Sequence, residues 1–136
     1  VSYLLDTNVC IALINGISSQ VRARFVQATR INAVLSTSTI VAHELWYGVA
    51  KSDSVAPNSR RLVTFLSREL SVLDFSTQDA QAAGEIRVYL ERRGERIGEY
   101  DTLIAGQAYA RNLVLVTANT SEFARVKGLV VEDWTV

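Results

Sequence analysis

Short, mostly apolar runs that recur between longer helical stretches constrain this chain more than any other feature. YLL at 3–5, AVLST at 33–37, VLDF at 72–75 and LVLVT at 113–117 show none of the strict apolar/polar alternation of a strand with one wet face. Strands buried on both faces and separated by helices form a parallel sheet covered on both sides, so the expected class is α/β with a central, mainly parallel sheet.

The punctuation between these runs supports that order. A helix over 7–14 is closed by Asn15-Gly16, a second covers 18–29, and a third, TIVAHELWYGVA, covers 39–50. The segment 52–58 reads as a loop whose Pro57 suits the first turn of the helix carrying Leu62, Val63, Phe65 and Leu66. A long helix follows Ser76 or Thr77 as N-cap and runs to about 93, ended by Gly94, and another spans 99–111. A turn near 120–125 and a small strand at 129–131 finish the pattern. Its 136 residues match one domain, 1–136, with a core of ordinary size.

Several function classes are disfavoured. The opening VSYLLDTNVCIALI is interrupted by Asp6 and Asn8, and no run approaches a membrane span, so a cytoplasmic protein without a membrane segment is expected. Cys10 is the only cysteine; it excludes an internal disulfide and reads as a small core hydrophobe. The serines and threonines lack a paired base, and no glycine-rich phosphate cradle with a lysine occurs. The formal net charge is zero, so any affinity for nucleic acid must be local. Arg22, Arg24 and Arg30 lie in a stretch free of acids between Asp6 and Glu44, and Arg60, Arg61 and Arg68 form a second basic group.

The acids carry more information. In open α/β sheets, ligands collect beyond the carboxyl ends of the strands. Asp6 directly follows the first strand, where capping the next helix and chemical work are both open to it. Glu44 falls on the helical arc of Ile40, Val41, Leu45, Gly48 and Val49, so it faces inward and needs an arginine, hydrogen bonds, a metal or a proton. Asp101 shares a face with Ile104, Ala105 and Ala108, and it also stands in a first turn where the helix dipole favours an anion. Asn119 follows the LVLVT strand, with Glu122 one turn on; either can serve as a turn or cap residue. His43, the only histidine, lies off the Glu44 arc, which makes it a poor base or ligand candidate and places it on an exposed or partner-facing side.

Three carboxylates from separate strand-helix units repel one another if held close, and a divalent cation resolves that repulsion. Oxygen donors without histidine point to Mg²⁺ or Mn²⁺, which orient water and neutralise a phosphodiester. Paired acids at strand ends also occur in phospho-acceptor receiver domains, a signalling alternative. The residues after the first and last full strands here, Thr7, Asn8 and Ala118, do not fit that pattern.

The segments LLDTNVCIALI, STSTIVAHELWYGV, IGEYDTLIAGQA and LVLVTANTSEFARVKGLVVEDW, in this order, resemble PIN-domain ribonuclease toxins of the VapC type over nearly the whole chain. The resemblance implies a three-layer α/β/α sandwich, an endoribonuclease that inhibits growth until bound by a cognate antitoxin, and a homodimer. It implies a catalytic set of Asp6, Glu44, Asp101 and Asn119, with the three carboxylates as Mg²⁺ or Mn²⁺ ligands. Asn119 stands where many relatives carry an acid, and Glu99 where relatives often carry proline. A catalytically degenerate domain that binds RNA or antitoxin is therefore a further alternative. The antitoxin would cover a groove near the site, with Trp46 and Tyr47 either as contacts or packed beneath the next loop. Promoter DNA would be reached only through the antitoxin.

Overall fold

A computed structural model describes residues 1–136. In chain order the elements are β1 (Ser2–Leu5), α1 (Thr7–Asn15), α2 (Ser19–Arg30), β2 (Val34–Ser38), α3 (Thr39–Ala50), α4 (Val55–Arg68), β3 (Ser71–Leu73), α5 (Thr77–Arg92), α6 (Glu99–Ala110), β4 (Val114–Val116), α7 (Thr120–Phe123) and β5 (Val131–Glu132). The strands form one sheet in the order β3-β2-β1-β4-β5, and every pairing is parallel. Right-handed crossovers then put α1 to α4 on one face and α5 and α6 on the other, giving the α/β/α sandwich. Packing agrees: α1 touches α2, α3 and α4, while α5 runs along α6.

Local chemistry sets the boundaries. Gly16 closes α1 in the left-handed region at φ 63°, which costs a residue without a side chain little. Ser18 accepts from the Val21 amide to start α2. Ser76 and Asp79 form a reciprocal capping box at the start of α5. Asp79 also takes the Arg111 guanidinium at 2.9 Å, which ties α5 to the end of α6. Burial alone would raise the Asp79 carboxyl, but its bonds from Arg111 and Ser76 outweigh that and hold it below the usual carboxylate range. Helix α4 begins at Val55, earlier than the loop reading allowed, with Pro57 still in its first turn.

The core joins the sheet to both helical layers through Leu4, Leu5, Val41, Leu62, Ile104 and Leu115. Burying such a side chain fully contributes roughly 2 kcal/mol. Phe123 and Trp134 are also fully buried. Trp134 is fixed by an edge contact to Tyr3 and by donating its ring N–H to Glu132 at 3.0 Å. The last strand starts two residues later and ends one residue later than the apolar pattern 129–131 implied. Backbone bonds from Leu115 N to Val130 O and from Thr117 N to Glu132 O set that register. Cys10 is buried, and burial pushes its thiol up to about 12, as suits a core residue. No helix is long and apolar enough to cross a membrane.

Candidate active site

Strand β1 is central, and the chain leaves it to one side for β2 and β3 and returns to the other for β4 and β5. This reversal opens a crevice at the carboxyl ends of β1 and β4, where α/β folds bind ligands. Asp6 stands at that point. Its backbone N–H continues the β1 to β4 ladder by donating to Val116 O at 3.0 Å. One carboxylate oxygen, Oδ1, caps α1 by accepting from Thr7 N at 2.8 Å, and Oδ2 accepts the Thr117 hydroxyl at 2.8 Å. Capping therefore occurs and does not exhaust the group, since each oxygen keeps a further lone pair. Burial raises the Asp6 carboxyl above its ordinary value, the Thr7 and Thr117 bonds pull it down, and the charge of Glu122 pushes it up again.

Glu44 reaches the same place from α3. It is half-buried, as its helical arc predicts, and its Oε1 is buried without a hydrogen-bond partner. The Thr7 hydroxyl is likewise buried and unbonded. No ion pair includes Glu44, so the arginine partner that could have explained it is not there. Arg61 lines the same small cavity as Glu44 but gives its guanidinium to Asn15 Oδ1 at 2.7 Å. Burial raises the Glu44 carboxyl first, the nearby Thr7 hydroxyl offsets part of this, and the Asp6 charge adds to the rise.

Asp101 occupies the first turn of α6, after Gly98 as N-cap. Gly98 as N-cap offers no side-chain cap, and the Gly98 amide is taken by Glu122. The Asp101 carboxyl is pushed up to about 6, by burial first and then by the charges of Asp6, Glu122 and Glu44, with hydrogen bonding of its protonated form to Glu122 adding to the rise. Asp101 thus lies within electrostatic reach of Asp6, Glu44 and Glu122, and Asp6 within reach of Glu44 and Glu122.

Glu122 is the residue that sequence reasoning placed least well. Its Oε1 accepts from the Gly98 amide at 2.9 Å, which ties α7 to the start of α6, and its Oε2 accepts from Asn119 Nδ2. Asn119 itself is exposed, and its amide serves Glu122. The sequence marks Thr117 only as the end of a strand, whereas its hydroxyl orients Asp6. A polar residue directly after an apolar strand at the carboxyl edge was the signal available for it. Glu99 is exposed and lines a pocket between α5 and α6 with Ala83, Arg87 and Leu103. His43 is exposed as expected, and its Nε2 lies 3.4 Å from the Tyr100 hydroxyl. Trp46 and Tyr47 are exposed as well, at 39% and 62%, and the Lys51 ammonium lies over the Tyr47 ring.

This donor set is hard and anionic, and it holds an unbonded buried carboxylate oxygen. No three of the acids already close on a single point. The donor types fit a hard divalent cation, which needs only one or two carboxylates directly, although the acids are not gathered around one point.

The PIN domain family model matches residues 3–129. The chain belongs to the PIN-domain family. A protein of Salmonella typhimurium named tRNA(fMet)-specific endonuclease VapC is 42% identical over 132 residues, covering 97% of each chain. Ribonuclease VapC2 of Rickettsia felis is 41% identical over 132 residues, again 97% of each chain. The crystal structure of VapBC2 from Rickettsia felis bound to a DNA fragment from their promoter contains a chain that superposes with a TM-score of 0.92 at 40% identity, covering 98% of this chain and 99% of that one. Membership of the PIN-domain family sets aside the receiver-domain alternative, and the parallel sheet agrees with the expected architecture, being wholly rather than mainly parallel.

Proposed function

We propose that this PIN domain is a divalent-metal-dependent endoribonuclease and the toxin of a type II toxin-antitoxin pair. The observation that carries the reading is Glu44 Oε1, buried without a partner among carboxyls whose charges raise one another. A bound cation offsets the cost of such an arrangement.

In this reading Asp6, Glu44 and Asp101 hold Mg²⁺ or Mn²⁺. When bound, the ion neutralises charge on the phosphodiester and favours attack by water. Asp6 is kept in one orientation by the Thr7 amide and the Thr117 hydroxyl. Asp101, set in a helix first turn, would offer its carboxylate to the ion, and burial with the charges of Asp6, Glu122 and Glu44 pushes that carboxyl up to about 6 while no cation offsets them. Asn119 acts through Glu122, holding that carboxylate at the rim against the Gly98 amide. Hydrolysis leaves 5′-phosphate and 3′-hydroxyl ends.

Residues 1–136 work as a single domain in the cytoplasm, as a homodimer, and are silenced by a cognate antitoxin through which promoter DNA is reached. The name of the Salmonella relative makes transfer RNA the first substrate to test, and its unpaired loops offer bases that a protein can read. The amide at position 119 favours a second reading, a domain that binds RNA or antitoxin without cutting. Purified chain free of antitoxin should cut transfer RNA with Mg²⁺ or Mn²⁺, and both a chelator and Asp6→Asn should abolish cutting. RNA that binds but stays intact under every metal condition would leave the second reading in place.

A further inference from the structure

Two aromatic rings stand at the mouth of the carboxylate cluster without belonging to it. His43 and Tyr100 immediately precede Glu44 on α3 and Asp101 on α6. One residue along a helix turns the side chain by about 100°, so each ring is carried to the solvent side of its neighbouring acid. Both are exposed, and neither forms part of the hydrophobic core. The rings meet edge to face with centroids 5.5 Å apart and planes at 61°, and the Tyr100 hydroxyl lies 3.4 Å from His43 Nε2. One turn further along α3, Tyr47 is exposed and carries the Lys51 ammonium 4.7 Å above its ring. The outer face of α3 therefore presents ring, ring and cation at four-residue steps of about 6 Å.

An acidic crevice repels a polyanion everywhere except where a cation holds the reacting phosphate. The neutral, flat part of the substrate is the base, and bases stack on aromatic side chains with little regard to sequence. We propose that His43 and Tyr100 form a stacking platform for an unpaired nucleobase next to the bond that is cut, placing the strand over the carboxylates. This rests on the RNA-cutting reading above. The platform requires a base freed from its helix, so loops and single strands engage it and an intact duplex does not. Both residues are positioning residues, since neither reaches the reacting atoms.

The test uses the Asp6→Asn chain, so that binding is measured without cleavage. Its affinity is compared for a ten-uridine RNA and a ten-nucleotide strand of equal charge lacking bases. Loss of the bases should weaken binding by about tenfold or more. Tyr100→Ala and His43→Ala should each erase most of that difference while leaving affinity for the baseless strand unchanged, and Tyr100→Phe should retain it. A full base-dependent difference in Tyr100→Ala overturns the platform. So does a change of oligomeric state on sedimentation in either alanine variant with the base dependence intact, which would mark the rings as a protein interface. Cleavage by the unsubstituted chain is scored separately. A chain that cuts RNA but shows no base dependence loses only the platform, and one that never cuts loses the enzymatic reading.

Discussion

The Thr117 hydroxyl donates to Asp6 Oδ2 at 2.8 Å, joining the end of β4 to the end of β1 across 111 residues of sequence. The Thr7 amide takes the other oxygen, so the orientation of Asp6 is settled before any ligand arrives. Thr117→Val keeps the shape and removes the donor. Stability should fall by about 1.5 to 3 kcal/mol, as for a hydrogen bond to a charged acceptor. Because this bond pulls the Asp6 carboxyl down, its loss should move the acid limb of the pH–rate profile to higher pH. Thr117→Ser should restore both. An unchanged pH profile in the valine variant would mean that Thr117 only packs.

The acids of the crevice make the metal-free protein unusual in its response to pH. A carboxyl whose folded-state pKa exceeds its unfolded value stabilises the fold while protonated, and that contribution is lost as it ionises. Asp101 rises from 3.8 to about 6, and Asp6 and Glu44 shift in the same direction. Without metal, stability should therefore fall as pH climbs through that window. The lowered carboxyls of Asp79 and Asp133 act in the opposite sense, below 3.8. With a chelator present, the melting temperature should be a few degrees higher near pH 5 than near neutrality. Asp101→Asn should flatten that slope and also raise the neutral-pH melting temperature. A wild-type slope of the opposite sign would contradict the clustering of these charges.

Asn119→Asp exchanges a donor for an anion beside Glu122. In chelator the variant should melt below wild type, since Glu122 loses a partner and gains a like charge. Saturating Mn²⁺ should raise its melting temperature by more than it raises that of wild type, because a fourth hard ligand then becomes available. Equal metal-induced shifts in the two proteins would place position 119 outside the ion's reach.

Gly106 brings α6 against α5. A Cβ there would lie 2.6 Å from both Ala83 Cα and Ala83 Cβ and 2.7 Å from Ala83 N. Gly106→Ala should cost about 1 to 3 kcal/mol in urea unfolding, the usual range for overpacking. Adding Ala83→Gly should not rescue it, because the Cα and N contacts persist. Rescue by the double variant would show that the two helices can slide apart.

Helices were legible where capping chemistry and period agreed, as at Ser76 with Asp79 and at Gly16. The inward aim of Glu44 was legible for the same reason: one arc of α3 holds Val41 and Leu45 in the core and carries the acid with them. Glu122 was not. Its place depends on the amide of Gly98, 24 residues away, and on how the loop before α6 docks, which no local pattern encodes. The shifted β5 has a similar cause: two residues of ladder are fixed by their neighbour β4 rather than by their own hydrophobicity.

The strand order also has a consequence for the order of synthesis. The first strand made is the central one, and β4, which completes its far side, comes more than a hundred residues later. Translation delivers the amino-terminal end first. A ribosome-bound nascent chain therefore carries Asp6 and Glu44 well before Asp101, Thr117 and Glu122 have emerged to join them. The crevice exists only once nearly the whole domain has left the exit tunnel. Until then the acids of the crevice remain apart.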